Sequence, residues 1–155
     1  MAQNPNQFFQ TPEKGQIDLT INPSVFSVQV DAAQVTALVP GQIVKLATTA
    51  GGVPKVIASA AVGDDHFGVC VFNRKVSSFP AGAMLEVAAW GSVVYMEASA
   101  AITRGAPVAF AASGLKVATA VSTNTIVGKA LDTASGDGSL IRVYLSTGLA
   151  KQILA

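Results

Sequence analysis

The residues best equipped for chemistry lie in one short stretch, Gly63-Asp64-Asp65-His66-Phe67, with Cys70 just beyond it. Two carboxylates beside an imidazole are the donor types of a metal site or an acid–base pair. A cysteine with a histidine is the pair of a thiol nucleophile. The spacing argues against all three. Asp65 and His66 are neighbours, so an extended strand points them to opposite faces. His66 is the sole histidine, and any further carboxylate ligand would have to come from a distant segment. His66 and Cys70 share a strand face, but the extended chain between them spans roughly 13 Å, too far for proton transfer. Gly-Asp-Asp is also an ordinary turn opening. Cys70 is the single cysteine, which rules out an internal disulfide and any multi-cysteine metal site. Its neighbours Val69, Val71 and Phe72 mark it as a small buried hydrophobe.

Other catalytic patterns are missing. The chain has no Gly-x-Ser-x-Gly elbow and no Gly-Lys-Ser/Thr after a glycine-rich stretch. Trp90, in Ala89-Trp90-Gly91, is either a ligand-stacking residue or the packing residue of a hairpin end or subunit contact, and the second use is the commoner. The expectation is a non-enzymatic protein with no catalytic residue, no cofactor and no metal site. Its candidate partner-binding residues are Trp90 and the aromatic pair Phe8-Phe9.

Composition points the same way. Hydrophobic residues make up 50% of the chain but charged residues only 12%, against roughly 25% in a usual soluble domain. A surface so poor in charge is better suited to cover by copies of itself or by a partner. The net charge is +1, and the Lys and Arg residues are scattered from Lys14 to Lys151 without a basic cluster. Nucleic acid is therefore not expected as a partner. No apolar run approaches the ~20 residues of a membrane span. The start, Met-Ala-Gln-Asn-Pro-Asn-Gln, lacks the charged and apolar regions of a signal peptide, so synthesis in a cytoplasm is expected.

The elements that must position these residues are strands. Residues 1–15, rich in Asn, Gln and Pro, carry no period of 2 or 3.6 and read as an extended N-terminal arm preceding a β domain over 16–155. Ile17, Leu19 and Ile21 alternate with polar residues, a turn follows at Asn22-Pro23-Ser24, and Val25, Phe26, Val28 and Val30 continue. Asp31 is a candidate cap for a helical turn that would end before Pro40, and Ala98–Ile102 is a second such candidate. Short β-type runs then recur at 42–47, 55–58, 67–72, 84–88, 92–97, 107–111, 116–118, 125–130 and 140–145. Glycine and proline turns separate them, as in a barrel or sandwich.

The chain also matches itself weakly but in order, between about 40–90 and 104–148. Gly41-Gln-Ile-Val44 aligns with Gly105-Ala-Pro-Val108, Lys55-Val-Ile-Ala58 with Lys116-Val-Ala-Thr119, and Phe67-Gly-Val-Cys70 with Val127-Gly-Lys-Ala130. Gly82–Val87 aligns with Gly138–Val143. Chance matching of Gly- and Val-rich stretches competes with a duplicated β unit as the explanation.

The order Val39-Pro-Gly-Gln-Ile-Val-Lys-Leu46, Phe67-Gly-Val-Cys-Val71, Ala81-Gly-Ala-Met-Leu-Glu-Val87 continues through Gly91-Ser-Val-Val94 and Ala101-Ile-Thr-Arg-Gly105. It ends with Val127-Gly-Lys-Ala-Leu131 and Ile141-Arg-Val-Tyr-Leu145. Together these motifs resemble the cement, or decoration, proteins of tailed-phage heads, over about Thr36 to Leu145. The resemblance implies an all-β fold, a compact barrel or β-tulip-like domain, and a structural role on the outer surface of the virion capsid. It also implies the major capsid protein as partner, homotrimers, and gripping by N-terminal arms. A fibre-base or tail-associated virion module and a carbohydrate-binding β module are the alternatives. The second would normally show a row of exposed aromatics, and this chain has one Trp and two Tyr.

Overall fold

A computed structural model describes residues 11–18, 22–48, 51–59, 64–111, 114–122 and 124–146. Phe8, Phe9, Leu19, Ile21 and the segment after Ser146 lie outside the described residues. Ten strands form: β1 (Val25–Val30), β2 (Ile43–Leu46), β3 (Lys55–Ala58), β4 (Gly68–Cys70), β5 (Met84–Ala88), β6 (Val93–Glu97), β7 (Pro107–Ala111), β8 (Lys116–Thr119), β9 (Ile126–Ala130) and β10 (Leu140–Leu145). The fold is all-β, and no helix occurs among the described residues.

β1–β5 close into a barrel in the order β1-β3-β2-β4-β5, and β6–β10 form a five-stranded sheet in the order β6-β10-β9-β7-β8. Starting the barrel at β1 and reading through β5 gives β1-β5-β4-β2-β3, the order of the second sheet. Individual hydrogen bonds correspond as well. Gly41 N–H donates to the Cys70 carbonyl and Gly105 N–H to that of Ala130, each at 2.8 Å. Gly82 donates to Val30 and Gly138 to Ala98, each at 2.9 Å. The bridge Leu38↔Phe79 has its counterpart in Ile102↔Ala134.

The core follows from strand alternation. Val44, Cys70 and Val87 point into the barrel, where they meet Val28, Leu38, Val56, Phe79 and Leu85. Their neighbours Ile43, Val69 and Ala88 point outward and pack into the core of the second sheet, with Val94, Met96, Ile141 and Leu145. Strands buried on both faces read as near-continuous apolar runs, which is why β4 and the Ile43-Val44 half of β2 carry no polar residue. Beyond them Lys45 is half-buried and Leu46 exposed. Burying each such side chain contributes about 1.5–3 kcal/mol before ordering costs.

Neither expected helical turn forms a helix. After β1, Asp31 Oδ1 accepts from Ala33 N–H at 2.8 Å. That side-chain bond closes a single turn and competes with helix continuation. At 98–102 the chain is drawn out between two bridges, Ala98↔Val117 and Ile102↔Ala134, leaving no room for a helical turn.

The chain before β1 is part of the packing. Gly15 N–H donates to Tyr95 O at 2.8 Å, Tyr95 N–H to Gln16 O at 2.9 Å, and Asp18 N–H to Val93 O at 2.8 Å. Residues 15–18 thus pair with β6, where Ile17 forms an antiparallel bridge to Val94. Gly15 also accepts from Phe72 N–H at 2.9 Å, joining the two halves. It sits at φ +82°, where a Cβ would lie 2.5 Å from Gly41 N and 2.8 Å from Cys70 O. Only glycine fits this crossing.

Candidate functional site

The chemistry-bearing stretch is dispersed by the fold. His66 is buried, its Nδ1 2.9 Å from Ser59 Oγ, and its ring meets Phe110 edge-on with centroids 5.0 Å apart. Asp64 pairs with Lys45 Nζ at 2.8 Å, and Asp65 is exposed. Cys70 lies in the barrel interior, where burial pushes its thiol pKa up to about 12. A thiol in that state stays protonated and is a poor nucleophile. Among the described residues no three His, Cys, Asp or Glu side chains gather as metal ligands.

The charges instead brace the fold. Arg142 donates from Nε and Nη2 to the two Asp132 oxygens at 2.9 and 2.8 Å, a bidentate pair. Its Nη1 reaches Asp18 Oδ2 at 3.4 Å. Hydrogen bonding to Arg142 holds the Asp132 carboxyl below its ordinary value and raises the guanidinium. Glu97 takes Lys116 at 2.7 Å and Lys14 at 3.8 Å. Asp18 and Lys14 thereby fasten the segment before β1 to the second sheet.

What remains is surface. Trp90 is 48% exposed, at a turn between β5 and β6 that joins the two halves. The bonds Ala89 N–H to Ser24 O and Gly91 N–H to Leu145 O bring this turn beside the start of β1 and the end of β10. Val25 and Tyr144, both partly exposed, occupy those strand ends. Lys14 and Gly15, the last residues of the expected arm, bind the domain as described.

The sequence reading overlooked a second surface. Compared with the sheet, the barrel carries longer connections at two places. Between Asp31 and Leu38 the chain runs through 32–37, whereas the counterpart between Ser99 and Ile102 is 100–101. Between Val71 and Phe79 it runs through 72–78, against 132–133 between Leu131 and Ala134. β1 and β4 run the same way in the barrel, each antiparallel to β5. Both long connections therefore leave the same barrel end, which the Leu38–Phe79 bridge spans. A shallow hollow of about 250 Å³ lies under the second, walled by Ser27, Phe72, Phe79, Met84 and Glu86. An exposed valine in a loop carries no periodic signal, and only the comparison of halves exposes the extra residues.

Against known proteins, a family profile described as phage cement protein matches residues 21–145. The solved N base of the head fibre gp8.5 of bacteriophage phi29 resembles the fold, with a TM-score of 0.57 at 14% identity, covering 83% of this chain and 99% of that one. No match was found among curated proteins.

Proposed function

Because the chain belongs to the phage cement protein family and is thus a structural protein of a phage virion, we propose that it decorates the outer surface of a tailed-phage capsid and stabilises it by bridging subunits of the major capsid protein. The family match over 21–145 carries this reading. The physical character of the domain supports it: two braced sheets, little surface charge, and ion pairs placed for rigidity. Bridging several subunits at once lets modest contacts act together through effective concentration.

In this reading the protein acts as a homotrimer, and the arm, in its part before Lys14, grips a neighbouring subunit or copy through Phe8 and Phe9. Trp90, with Val25 and Tyr144 beside it, supplies a surface for contact between copies. Burying one Phe contributes about 1.5–3 kcal/mol, while ordering each arm residue costs about 1–2 kcal/mol. Two rings cannot order fifteen residues alone, so added strand pairing or repeated copies must contribute. The protein does this work without catalysis or a cofactor.

The test is sedimentation of purified protein with expanded capsid shells that lack it. The parent should co-sediment and raise shell melting, while Phe8→Ala with Phe9→Ala should weaken attachment and leave the domain's melting unchanged. A parent that ignores such shells would overturn the reading. The likeness in fold to a head-fibre base favours one second reading, in which the domain seats a fibre on the head. Electron microscopy of decorated shells separates a covering lattice from isolated fibre feet.

A further inference from the structure

The two long connections of the barrel end are held rigid while presenting apolar and cationic groups outward. In 32–37, Gln34 Oε1 accepts from Ala58 N–H at 2.9 Å and its Nε2 donates to Thr36 O at 2.7 Å. Together with the Asp31 turn, this pins the loop from both sides. Val35, between the pinned points, is 99% exposed. In 73–78, Asn73 Oδ1 accepts from Lys75 N–H at 2.9 Å, and Asn73 and Val76 form an antiparallel bridge. Every residue from Asn73 to Ser78 is exposed, including Arg74, Lys75 and Val76.

Loops ordered by their own side chains lose little freedom when a partner covers them. A rigid, wholly exposed valine gains nothing in the free protein, whereas covering it removes apolar surface from water. The two insertions carry Arg74 and Lys75 and no carboxylate. In the second half the corresponding place holds Asp132, engaged by Arg142. Asp132 is balanced there by Arg142. At the barrel end Glu13 lines a hollow with Arg74, and Glu86 lies in the wall of the other hollow. Lys75, exposed beside Val76, is thus the cation that a partner covering this tip would meet, and acidic side chains complement it.

We propose that the barrel end formed by 32–37 and 73–78 seats the protein on the capsid, against an acidic protein surface that covers Val35 and Val76. This rests on the capsid-binding reading above and assigns the docking face within it. The experiment titrates parent, Val35→Asp, Val35→Ser, Lys75→Glu and, as a control elsewhere, Lys129→Glu onto purified shells assembled from the phage's major capsid protein. Occupancy is read at low and high salt, and melting of each free protein is recorded. Val35→Asp and Lys75→Glu should each weaken binding at least tenfold at parental melting temperature, Val35→Ser should weaken it less, and Lys129→Glu should bind as the parent does. Parental binding should also fall as salt rises. If the parent binds while Val35→Asp and Lys75→Glu bind equally well, the docking face is wrong although the capsid reading stands. If Lys129→Glu loses as much as Lys75→Glu, the effect is net charge and the assignment falls. If the parent itself does not bind, the capsid reading fails first.

Discussion

The barrel and the open sheet have one strand order and many of the same hydrogen bonds, yet they differ in closure and in cover. β1 closes on β3 through two parallel partners, Gln29↔Lys55 and Val30↔Val56. β6 meets β8 only at the bridge Ala98↔Val117, because residues 15–18 occupy the rest of its edge. Cover differs in the same way. The outward residues Ile43, Val69 and Ala88 of the barrel are buried, while Pro107, Lys129 and Tyr144, at the same registers of the sheet, reach solvent. One topology thus closes where nothing competes for its first strand and stays open where another segment does. The barrel, closed on itself and covered by the sheet at Ile43, Val69 and Ala88, carries the long projecting loops.

The largest expected effect tests whether closure brings rigidity. Gly68 and Gly128 occupy matching positions, and a Cβ on either would run into a neighbouring carbonyl oxygen, Ala88 O or Tyr144 O respectively. Backbone cannot give way as a side-chain tip can, so Gly68→Ala should cost about 3 kcal/mol. Gly128→Ala should cost visibly less, since β9 and β10 present their outer face to solvent and can shift. Denaturant titration of both variants measures the two costs. Equal losses would break the claim that the closed half is the stiffer one.

A smaller effect isolates the bracing of the open half. Asp132 is held by Arg142 below its ordinary value of 3.8. A carboxyl depressed in the folded state stabilises fully above its unfolded pKa, and the contribution disappears as pH falls through the folded one. Arg142→Met should therefore lower stability by about 0.2–1 kcal/mol at pH 7, the range of solvent-exposed pairs. It should also flatten the decline in melting temperature below about pH 4. Thermal melts between pH 7 and pH 2 give both readings. A variant whose acid decline matches the parent's would remove Asp132 from the bracing of the second sheet.

Much of the fold was legible because glycine and proline punctuate it. All ten strands fall on runs marked by β-branched residues between turns, and β3, β5, β7 and β10 keep the bounds expected for them. Two kinds of feature were not legible. Edge competition was hidden, since pairing of Gly15–Asp18 with β6 depends on a contact across the sequence that no local pattern encodes. The turn after Asp31 was misread because Asp caps a helix and an isolated turn with the same acceptor geometry. Of the candidate partner residues, Trp90 is exposed at the junction of the halves. Val35 and Lys75 stayed invisible because nothing in a loop's composition says that it is pinned.

The smallest expected effect concerns the one place where the barrel interior holds a functional group and the sheet does not. Cys70 and Ala130 occupy matching interior positions and are both fully buried, so alanine is already accepted at this point of the topology. Cys70→Ala removes one sulfur from the barrel and should cost about 1 kcal/mol or less, as a small cavity does. His66→Asn keeps a polar group near Ser59 and loses the edge contact with Phe110. The double variant should melt slightly below the parent and bind capsid shells equally well. With its pKa near 12, the thiol should also resist alkylation at pH 7 in the folded protein and react on unfolding. Loss of shell binding at unchanged melting, or rapid alkylation of the native protein, would give Cys70 or His66 a role beyond filling the core.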